Sequence, residues 1–353
     1  KKKKKKKKKK KGDKDIVQLL DERGLDIGIT DDQGNNIAHF AALVFNGKST
    51  LQYLVDKYGD AFRANALARV ESNLSEYDAQ SQSDLQTTKR YTGGFNFDAR
   101  NNNGATPAYN AAWKGQLQNL EILAGVGCNL DLGNDDGNTP LIAAAMTDQP
   151  SSIAFLLDKG CEVNQVNKGE ETALYWAAYN CSTASLEVLL QRGVKIEKCD
   201  KFGNTPLLVA ADHGEVKAVR ILLKHNANVN HQNQIGETAL MKACAEGHME
   251  CVKELVKCPQ CNPDVRDDEG NSALLWTCMT GQMEVFVFLV EFWNITKEQI
   301  TTLQNNDEET CIDWIVENKL ERGIDVLKKL GVDVPERDES ESKSKSLSQE
   351  NEN

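Results

Sequence analysis

Two cysteines form the clearest pattern of reactive side chains in this chain. Cys258 and Cys261 lie in the sequence CPQC, and the C-x-x-C spacing occurs in zinc sites and in redox-active thiol pairs. Zinc would need two more ligands nearby, but Cys251 and Cys244 upstream occupy apolar helix positions. A redox role favours a first cysteine at a helix N-terminus, whereas this pair follows the end of a helical pattern. We favour structural cysteines, with a metal or redox site as the alternative.

Other patterns that carry catalysis are absent from the sequence. The histidines are scattered singly without metal-ligand spacing, at His39, His213, His225, His231 and His248. There is no G-x-x-x-x-G-K-[ST] loop, no G-x-S-x-G elbow, no H-E-x-x-H motif and no kinase catalytic loop. We therefore predict that the chain is not an enzyme and needs no cofactor.

The charge of the chain is unevenly distributed. Its 353 residues include 42 Lys and Arg against 53 Asp and Glu, and residues 1–11 are all lysine. Without that run, 31 basic and 53 acidic side chains remain, a net charge of −22. Such a surface repels DNA and anionic lipid, so any nucleic-acid binding would depend on Lys1–Lys11 alone. Ten cysteines are too few for a disulfide scaffold, and no apolar run could span a bilayer, which predicts the cytosol or nucleus and no membrane contact.

One sequence phrase recurs along the chain. The structural elements that it forms must position the cysteines and histidines described above. The phrase begins as GATPAYNAAW at Gly104, GNTPLIAAAM at Gly137, GNTPLLVAAD at Gly203 and GETALMKACA at Gly236. Its threonines are 33 residues apart, at Thr106, Thr139, Thr172, Thr205 and Thr238. Ser272 follows after 34 residues and Thr310 after 38, and Asn36 occupies the same slot 70 residues before Thr106. A fixed period predicts an array of similar structural units.

The phrase also predicts the structure of one unit. An Asp/Asn-x-x-Gly segment favours a tight turn, the Thr is an N-cap, and the following Pro fits the first helical position. That proline occurs at Pro107, Pro140 and Pro206. A short helix with an alanine pair follows, and then a second helix with an aliphatic face, which Gly160 or Gly193 ends. Two short helices cannot bury their own apolar faces, so neighbouring units must stack.

This wording and period closely resemble ankyrin repeats, from about Asp15 to Val334. The resemblance implies an all-α fold, an ankyrin-repeat solenoid of stacked helix-turn-helix units joined by β-hairpin-like turns. Three departures affect local geometry. Only His39 keeps the histidine of the family's TPLH, and Gly169 stands one place early, which puts the fourth turn in question. The eighth copy lacks the Gly and carries Asp313 and Glu317, as expected of a solvated terminal cap.

The predicted organisation has three parts, namely a lysine tail (1–11), the repeat array (12–335) and a charged, Ser-rich disordered tail (336–353). A half-repeat occupies 15–30 and, lacking one neighbour, is expected to fray first. Full repeats begin near 31, 101, 134, 167, 200, 233, 267 and 305. The excess residues 60–93 begin helix-like and become polar, which favours an insertion in a surface loop.

The resemblance implies a monomeric, non-catalytic protein-interaction module that binds a partner on its concave face. The residues after each alanine pair should line up there, and Trp113, Met146 and Tyr179 occupy that slot in three successive repeats. We predict that they anchor the partner, unless a shifted helix buries them as core. The predicted rim is Lys114, Asp212 and His213, with Phe202 and Ile235 added at the turn tips.

Two further interpretations remain open. The alternative function is that the chain, which we interpret as a fragment, is the regulatory ankyrin arm of a larger enzyme or ion channel. The resemblance also implies a hydroxylation site, because LLDKGCEVN places Leu156, Glu162 and Val163 before Asn164 as an asparaginyl hydroxylase of ankyrin loops prefers. Alternatively, Asn164 holds its turn by side-chain hydrogen bonds.

Overall fold

The computed structural model describes residues 28–43, 48–75 and 95–334, with the backbone alone for residues 63–75. The predicted lysine tail, most of the half-repeat, the polar part of the insertion and the C-terminal tail lie outside these residues. The chain divides into two compact units, Lys1–Pro206 and Leu207–Asn353. The described elements are helices, and the one β-bridge among these residues joins Gln304 and Thr310.

The first unit is built from pairs of helices that stack in chain order. Its helices are α1 (Ile37–Leu43), α2 (Lys48–Ser75), α3 (Pro107–Trp113), α4 (Leu117–Val126), α5 (Pro140–Met146), α6 (Pro150–Asp158), α7 (Ala173–Tyr179) and α8 (Thr183–Gln191). The first helices of successive pairs contact one another, α1 on α3, α3 on α5 and α5 on α7, and the second helices do the same from α2 to α8.

The second unit follows the same plan. Its helices are α9 (Pro206–Asp212, which starts at the last residue of the first unit), α10 (Val216–Lys224), α11 (Ala239–Ala245), α12 (Met249–Val256), α13 (Ala273–Met279), α14 (Met283–Phe292), α15 (Lys297–Thr302), α16 (Cys311–Glu317) and α17 (Glu321–Lys329). Helix α13 packs between α11 and α16, and α14 packs on α12 and α17.

The first helices α3, α5, α7, α11, α13 and α16 each begin directly after the hydroxyl residue of the repeated phrase, which caps them. The Thr106 Oγ1 accepts a hydrogen bond from the Tyr109 amide at 3.2 Å, and the Thr139 Oγ1 accepts one from the Ile142 amide at 3.3 Å. Proline follows directly in α3 and α5, where its missing N–H costs nothing. The alanines of the pair, such as Ala144 and Ala145, are fully buried. Small side chains at these positions let neighbouring helices approach closely.

The turns between repeats are β-hairpin-like and carry their own ladder of hydrogen bonds. The Asn134 Oδ1 accepts from the Asp136 and Asn138 amides at 3.1 and 2.9 Å, and the Asn134 amide donates to the Asn138 carbonyl. The same side-chain pattern recurs at Asp31, Asn101, Asn167, Asp200, Asn233, Asp267 and Asn305. Adjacent turns are joined, as where the Lys168 amide donates to the Asp136 carbonyl at 2.8 Å.

The fourth turn keeps this geometry despite its displaced glycine. Glu170 takes the left-handed conformation, with φ 61°, that Gly137 and Gly203 take in neighbouring turns, with φ 82° and 84°. Gly169 does not have a positive φ. The eighth turn, which lacks the glycine, uses Glu308 in the same way, with φ 64°. The turn ladder therefore holds a non-glycine residue in an unfavourable region.

The irregular spacings have separate local causes. The 34-residue step from Thr238 to Ser272 includes a four-residue turn at 258–261 in place of a single left-handed residue. The 38-residue step to Thr310 contains the additional short helix α15. Helix α2 continues to Ser75, so residues 60–75 of the predicted insertion are helical.

His39, the retained histidine, joins two repeats. It is fully buried, its Nδ1 accepts from the Asn36 amide at 3.1 Å, and its Nε2 lies 2.9 Å from the Ala105 carbonyl of the next repeat. Burial lowers the pKa of His39, which favours the neutral ring.

Candidate functional site

The predicted partner-binding residues fall in both units. The first unit contains Trp113, Lys114, Met146, Tyr179 and Phe202, and the second contains Asp212, His213 and Ile235. Trp113, Met146 and Tyr179 are half-buried. They are therefore neither free in solvent nor closed into the core.

Hydrogen bonds fix the ends of three successive first helices side by side. The Thr147 hydroxyl donates to the Trp113 carbonyl at 2.8 Å, and the Asn180 Nδ2 donates to the Met146 carbonyl at 3.2 Å. Thr147 and Asn180 directly follow the predicted anchors Met146 and Tyr179 in the chain. The C-terminal ends of α3, α5 and α7 are thus tied together through the residues next to the predicted anchors.

Aromatic contacts extend the predicted row into a larger cluster. The Tyr109 and Trp113 rings stack with centroids 6.3 Å apart and planes 19° apart, and the Trp176 and Tyr179 rings lie 5.2 Å apart. With Met146 between them in the chain order of repeats, these five half-buried side chains form what we call the aromatic strip. The ring contacts contribute to the partial burial of Trp113 and Tyr179.

Two members of the aromatic strip, Tyr109 and Trp176, were missed by the sequence reasoning. Only the residues after the alanine pair were considered, although residues three or four positions earlier in a helix share its face. Trp176 is three residues before Tyr179, and Tyr109 is four before Trp113. Helical spacing was the signal that would have found both.

Carboxylates lie beside the tyrosines of this region. Burial and the nearby exposed Asp136 raise the pKa of Tyr109. Burial also raises the pKa of Tyr175, whose ring lies 6.1 Å from that of Trp176, and Asp200 and Glu171 add to the effect. Lys114 is exposed next to Trp113. The electrostatic surroundings of the strip are therefore mainly acidic.

The indole of Trp176 differs from its equivalent in another repeat. Trp276 donates its Nε1–H to the Asp267 carboxylate at 2.9 Å, nine residues earlier. The equivalent partner of Trp176 is Asn167, whose Nδ2 donates to Asn138 and Glu171 instead. Among the described residues the buried Trp176 Nε1 has no hydrogen-bond partner. An amide in place of the carboxylate presents a donor where the indole needs an acceptor.

The corresponding face of the second unit is charged. Lys242, in the slot of Trp176, lies 2.8 Å from the largely buried Glu237 carboxylate and 3.9 Å from Asp212. The His213 Nδ1 lies 3.7 Å from Asp212, and the Asp212 carbonyl contacts the His248 Nε2 at 3.0 Å. Asp212 and His213 thus belong to a local network of charged side chains.

The two turn-tip residues are exposed as the sequence predicted. Phe202 is 57% exposed and Ile235 is 58% exposed. The Lys201 ammonium lies 5.0 Å from the Phe202 ring centroid, within the range of a cation–π contact. Each side chain projects from a turn whose backbone is held by the ladder.

Asn164 has a structural role in its loop. Its Oδ1 accepts from the Lys195 amide of the next repeat at 2.8 Å, and the side chain is half-buried. Asn230 and Asp98 make the same contact with the Asn262 and Asn129 amides, at 2.9 and 3.1 Å. The alternative that Asn164 holds its turn accounts for this geometry, and its hydroxylation stays a prediction.

The cysteines differ in accessibility. Cys244, Cys251 and Cys278 are fully buried, in keeping with their apolar helix positions, whereas Cys258 and Cys261 are half-buried. Within the described ranges, no three His, Cys, Asp or Glu side chains are arranged to hold a metal ion.

Comparison with known proteins agrees with this architecture. The family model for ankyrin repeats (3 copies) matches residues 76–167, 110–198, 163–233 and 240–338. The chain belongs to the ankyrin repeat family. The predicted fold class is thereby confirmed, and ankyrin repeats are in general protein-interaction modules.

No catalytic domain was found by the comparison with family models. The comparison with curated proteins returned no match. In the part of the chain that the structure describes, none of the helices has the length and apolar composition needed to cross a membrane.

Proposed function

We propose that this ankyrin chain is a non-catalytic interaction module or scaffold that binds a partner protein over the aromatic strip. The row of half-exposed Trp, Met and Tyr side chains in successive repeats carries the proposal. The same slot holds Asp212, Ala245 and Glu317 in other repeats. Stacking of repeats therefore does not require a large apolar side chain there, whereas binding hot spots are rich in such residues.

The strip is also well ordered for binding. Tyr109 stacks on Trp113, Trp176 contacts Tyr179 at a tilt, and the hydrogen bonds from Thr147 and Asn180 hold helix ends that present these rings. Side chains that are already fixed lose little conformational entropy when a partner docks, which leaves more of the contact energy as affinity.

The acidic surroundings favour a partner with basic side chains next to an apolar anchor. Asp136 is exposed beside Tyr109, and the chain outside its lysine run is strongly acidic. Aromatic faces also attract cations. Lys114 and Phe202 in the first unit, and Asp212, His213 and Ile235 in the second, remain separate proposed contacts. We expect the chain to act as a monomer in the cytosol or nucleus.

Substitution of the strip tests this function. Proteins captured from cell extract by the wild-type chain are compared with those captured by Trp113→Ala and Tyr179→Ala, and the affinity of a partner so identified is then measured by calorimetry. Each substitution should cost about 2 kcal/mol, or roughly thirtyfold in Kd, as at other hot spots. The melting temperature should be nearly unchanged, because the side chains are only half-buried.

Phe155→Ala provides the matched control. Phe155 is a half-buried aromatic residue on α6, a second helix of the same unit, and its ring lies 5.5 Å from the Lys159 ammonium. We expect it to leave the captured set and the affinity unchanged. Equal losses in all three variants, or unfolding of the strip variants, would show that the strip is core and not a site.

A further inference from the structure

Cys258 and Cys261 occupy the two ends of a closed four-residue turn. The Cys261 amide donates to the Cys258 carbonyl at 2.9 Å, and Pro259 and Gln260 are exposed between them. Such a turn brings the first and fourth Cα atoms within about 7 Å. A disulfide spans Cα atoms about 4.4–6.8 Å apart. The closed turn therefore places the Cα atoms of the two cysteines in the range that a disulfide can bridge.

This turn is an addition to the repeat. In other repeats one residue with positive φ follows the second helix, as at Gly127, Gly160 and Gly193. Proline cannot adopt that conformation, so a chain with Pro259 needs a longer connection. Cys261 corresponds to Cys161, a single buried thiol that lies 3.9 Å from the Leu130 carbonyl. The extra turn thus supplies a second thiol beside a position that holds a single thiol in the repeat of Cys161.

The side chain of Asn230, in the preceding repeat, makes hydrogen bonds to the turn and to the residue that follows it. Its Nδ2 donates to the Gln260 carbonyl at 2.6 Å, and its Oδ1 accepts from the Asn262 amide at 2.9 Å. Disulfide formation therefore requires little further ordering of the backbone. A pair held in this way has a high effective concentration of one thiol at the other.

We propose that Cys258 and Cys261 form a reversible disulfide in exchange with a low-molecular-weight disulfide such as oxidised glutathione. The Cys258 thiolate attacks one sulfur of glutathione disulfide, breaking its S–S bond and releasing one glutathione thiolate. The Cys261 thiolate then attacks the Cys258 sulfur, which closes the protein disulfide and releases the second glutathione. The two protons lost by the protein thiols pass to the two glutathione thiolates, so one disulfide is reduced as the other forms.

The electrostatics assign the order of attack. Burial, and to a smaller extent the charge of Cys258, raise the pKa of the Cys261 thiol to about 11. At neutral pH Cys261 is therefore a thiol and a poor first nucleophile, so the first attack falls to Cys258. A thiol of high pKa is also a poor leaving group, which slows reopening of the finished disulfide.

The pair is built as a modification site and not as a catalyst of disulfide exchange. Catalytic pairs place the attacking cysteine at a helix N-terminus, which lowers its pKa. Here α12 ends at Val256 and the pair follows that C-terminal end. Oxidation would lock the connection between α12 and the next hairpin turn, which the Asn230 contacts link to the preceding repeat.

Peptide mapping of the full chain tests the proposal. The folded protein is incubated with oxidised or reduced glutathione, then trapped with N-ethylmaleimide in denaturant, so that buried thiols also react, and digested with trypsin. Cleavage after Lys257 and Arg266 releases peptide 258–266, which contains both cysteines. Oxidised glutathione should convert most of this peptide to a form two hydrogens lighter without maleimide, at least tenfold more than reduced glutathione does. Dithiothreitol should restore the doubly labelled peptide.

Peptide 160–168 from the same digest is the internal control, because it contains Cys161 alone and should keep one maleimide. Cys258→Ser should abolish the lighter form, and Cys261→Ser should leave a stable glutathione adduct on Cys258. Recovery of doubly labelled peptide 258–266 after oxidation, or a persistent adduct on wild-type Cys258, would overturn the proposal. Since partner binding is not measured, the result is independent of the proposed function.

Discussion

At the residue scale, Glu170 adopts a backbone conformation that glycine adopts at the equivalent position of most other repeats. Its φ is 61°, and the carboxylate also pairs with Lys198 at 3.2 Å on the surface. Gly169 stands one position earlier than the glycine of the regular turns, so the sequence alone did not show that this turn forms. The turn forms because Asn167 supplies the same side-chain contacts, to the Gly169 and Glu171 amides, that its equivalents supply elsewhere.

Substitutions of Glu170 should therefore measure the free-energy cost of a Cβ atom in the left-handed backbone region. We expect Glu170→Gly to be more stable than Glu170→Ala by about 1 kcal/mol, since only the alanine keeps a side chain in the left-handed region. Both variants lose the ion pair with Lys198, so that contribution cancels. Urea unfolding of the full chain measures the difference in the free energy of unfolding. An alanine variant as stable as the glycine variant would show that the turn is not strained.

The structure places further aromatic residues beside the predicted anchors, whose role in binding stays a prediction. The slot after the alanine pair led to Trp113, Met146 and Tyr179, because periodicity aligns equivalent positions without a structure. The stacking partners Tyr109 and Trp176 were omitted, although their helical spacing was visible. The degree of burial was not predictable, because it depends on which ring lies against which, as for Tyr109 on Trp113.

At the scale of the elements, α8 has a cap supplied by a side chain of the preceding repeat. Among the described residues, the N-cap residues of α4, α6, α8, α10, α12, α14 and α17 make no side-chain capping bond. In α8, Asp148 of the preceding repeat accepts from the Ser185 amide at 2.9 Å and from its hydroxyl at 2.8 Å. A carboxylate at this end also interacts favourably with the helix dipole.

Asp148 makes this contact from a left-handed conformation, with φ 53°, where equivalent positions carry Gly115, Gly214 and Gly247. We expect Asp148→Gly to lower the free energy of unfolding by about 1 kcal/mol, because losing the cap costs more free energy than relieving the backbone strain gains. Asp148→Asn should cost less, since it keeps an acceptor and tolerates this conformation. Urea unfolding gives the order, and a glycine variant as stable as the wild type would refute it.

The elements were predictable where the period is regular. Thr, Pro and Gly mark the same boundaries in each regular repeat, because capping and turn chemistry are local. The irregular elements were not predicted. A spacing of 38 residues reveals that something is inserted before Thr310, but not that it is the helix α15. Likewise, CPQC was placed correctly after a helix, but its closed turn depends on Asn230, 28 residues before Cys258.

At the scale of the whole molecule, charge separates two kinds of binding. The eleven lysines at 1–11 are cationic, whereas the remaining chain has a net charge of −22. The acidic part favours basic protein partners and disfavours phosphate backbones. The aromatic strip and the lysine run are therefore expected to attract different classes of partner.

Deletion of residues 1–11 should separate these two classes. The full chain should bind duplex DNA weakly and without sequence preference at low salt, because only the lysine run can neutralise phosphates. If six or more phosphates are contacted, raising the salt from about 50 to 200 mM should lower the affinity by roughly a thousandfold or more. Residues 12–353 should show no DNA binding by fluorescence anisotropy and should keep their affinity for a partner of the aromatic strip. DNA binding by residues 12–353 would mean that the array itself carries a cationic surface, which its net charge argues against.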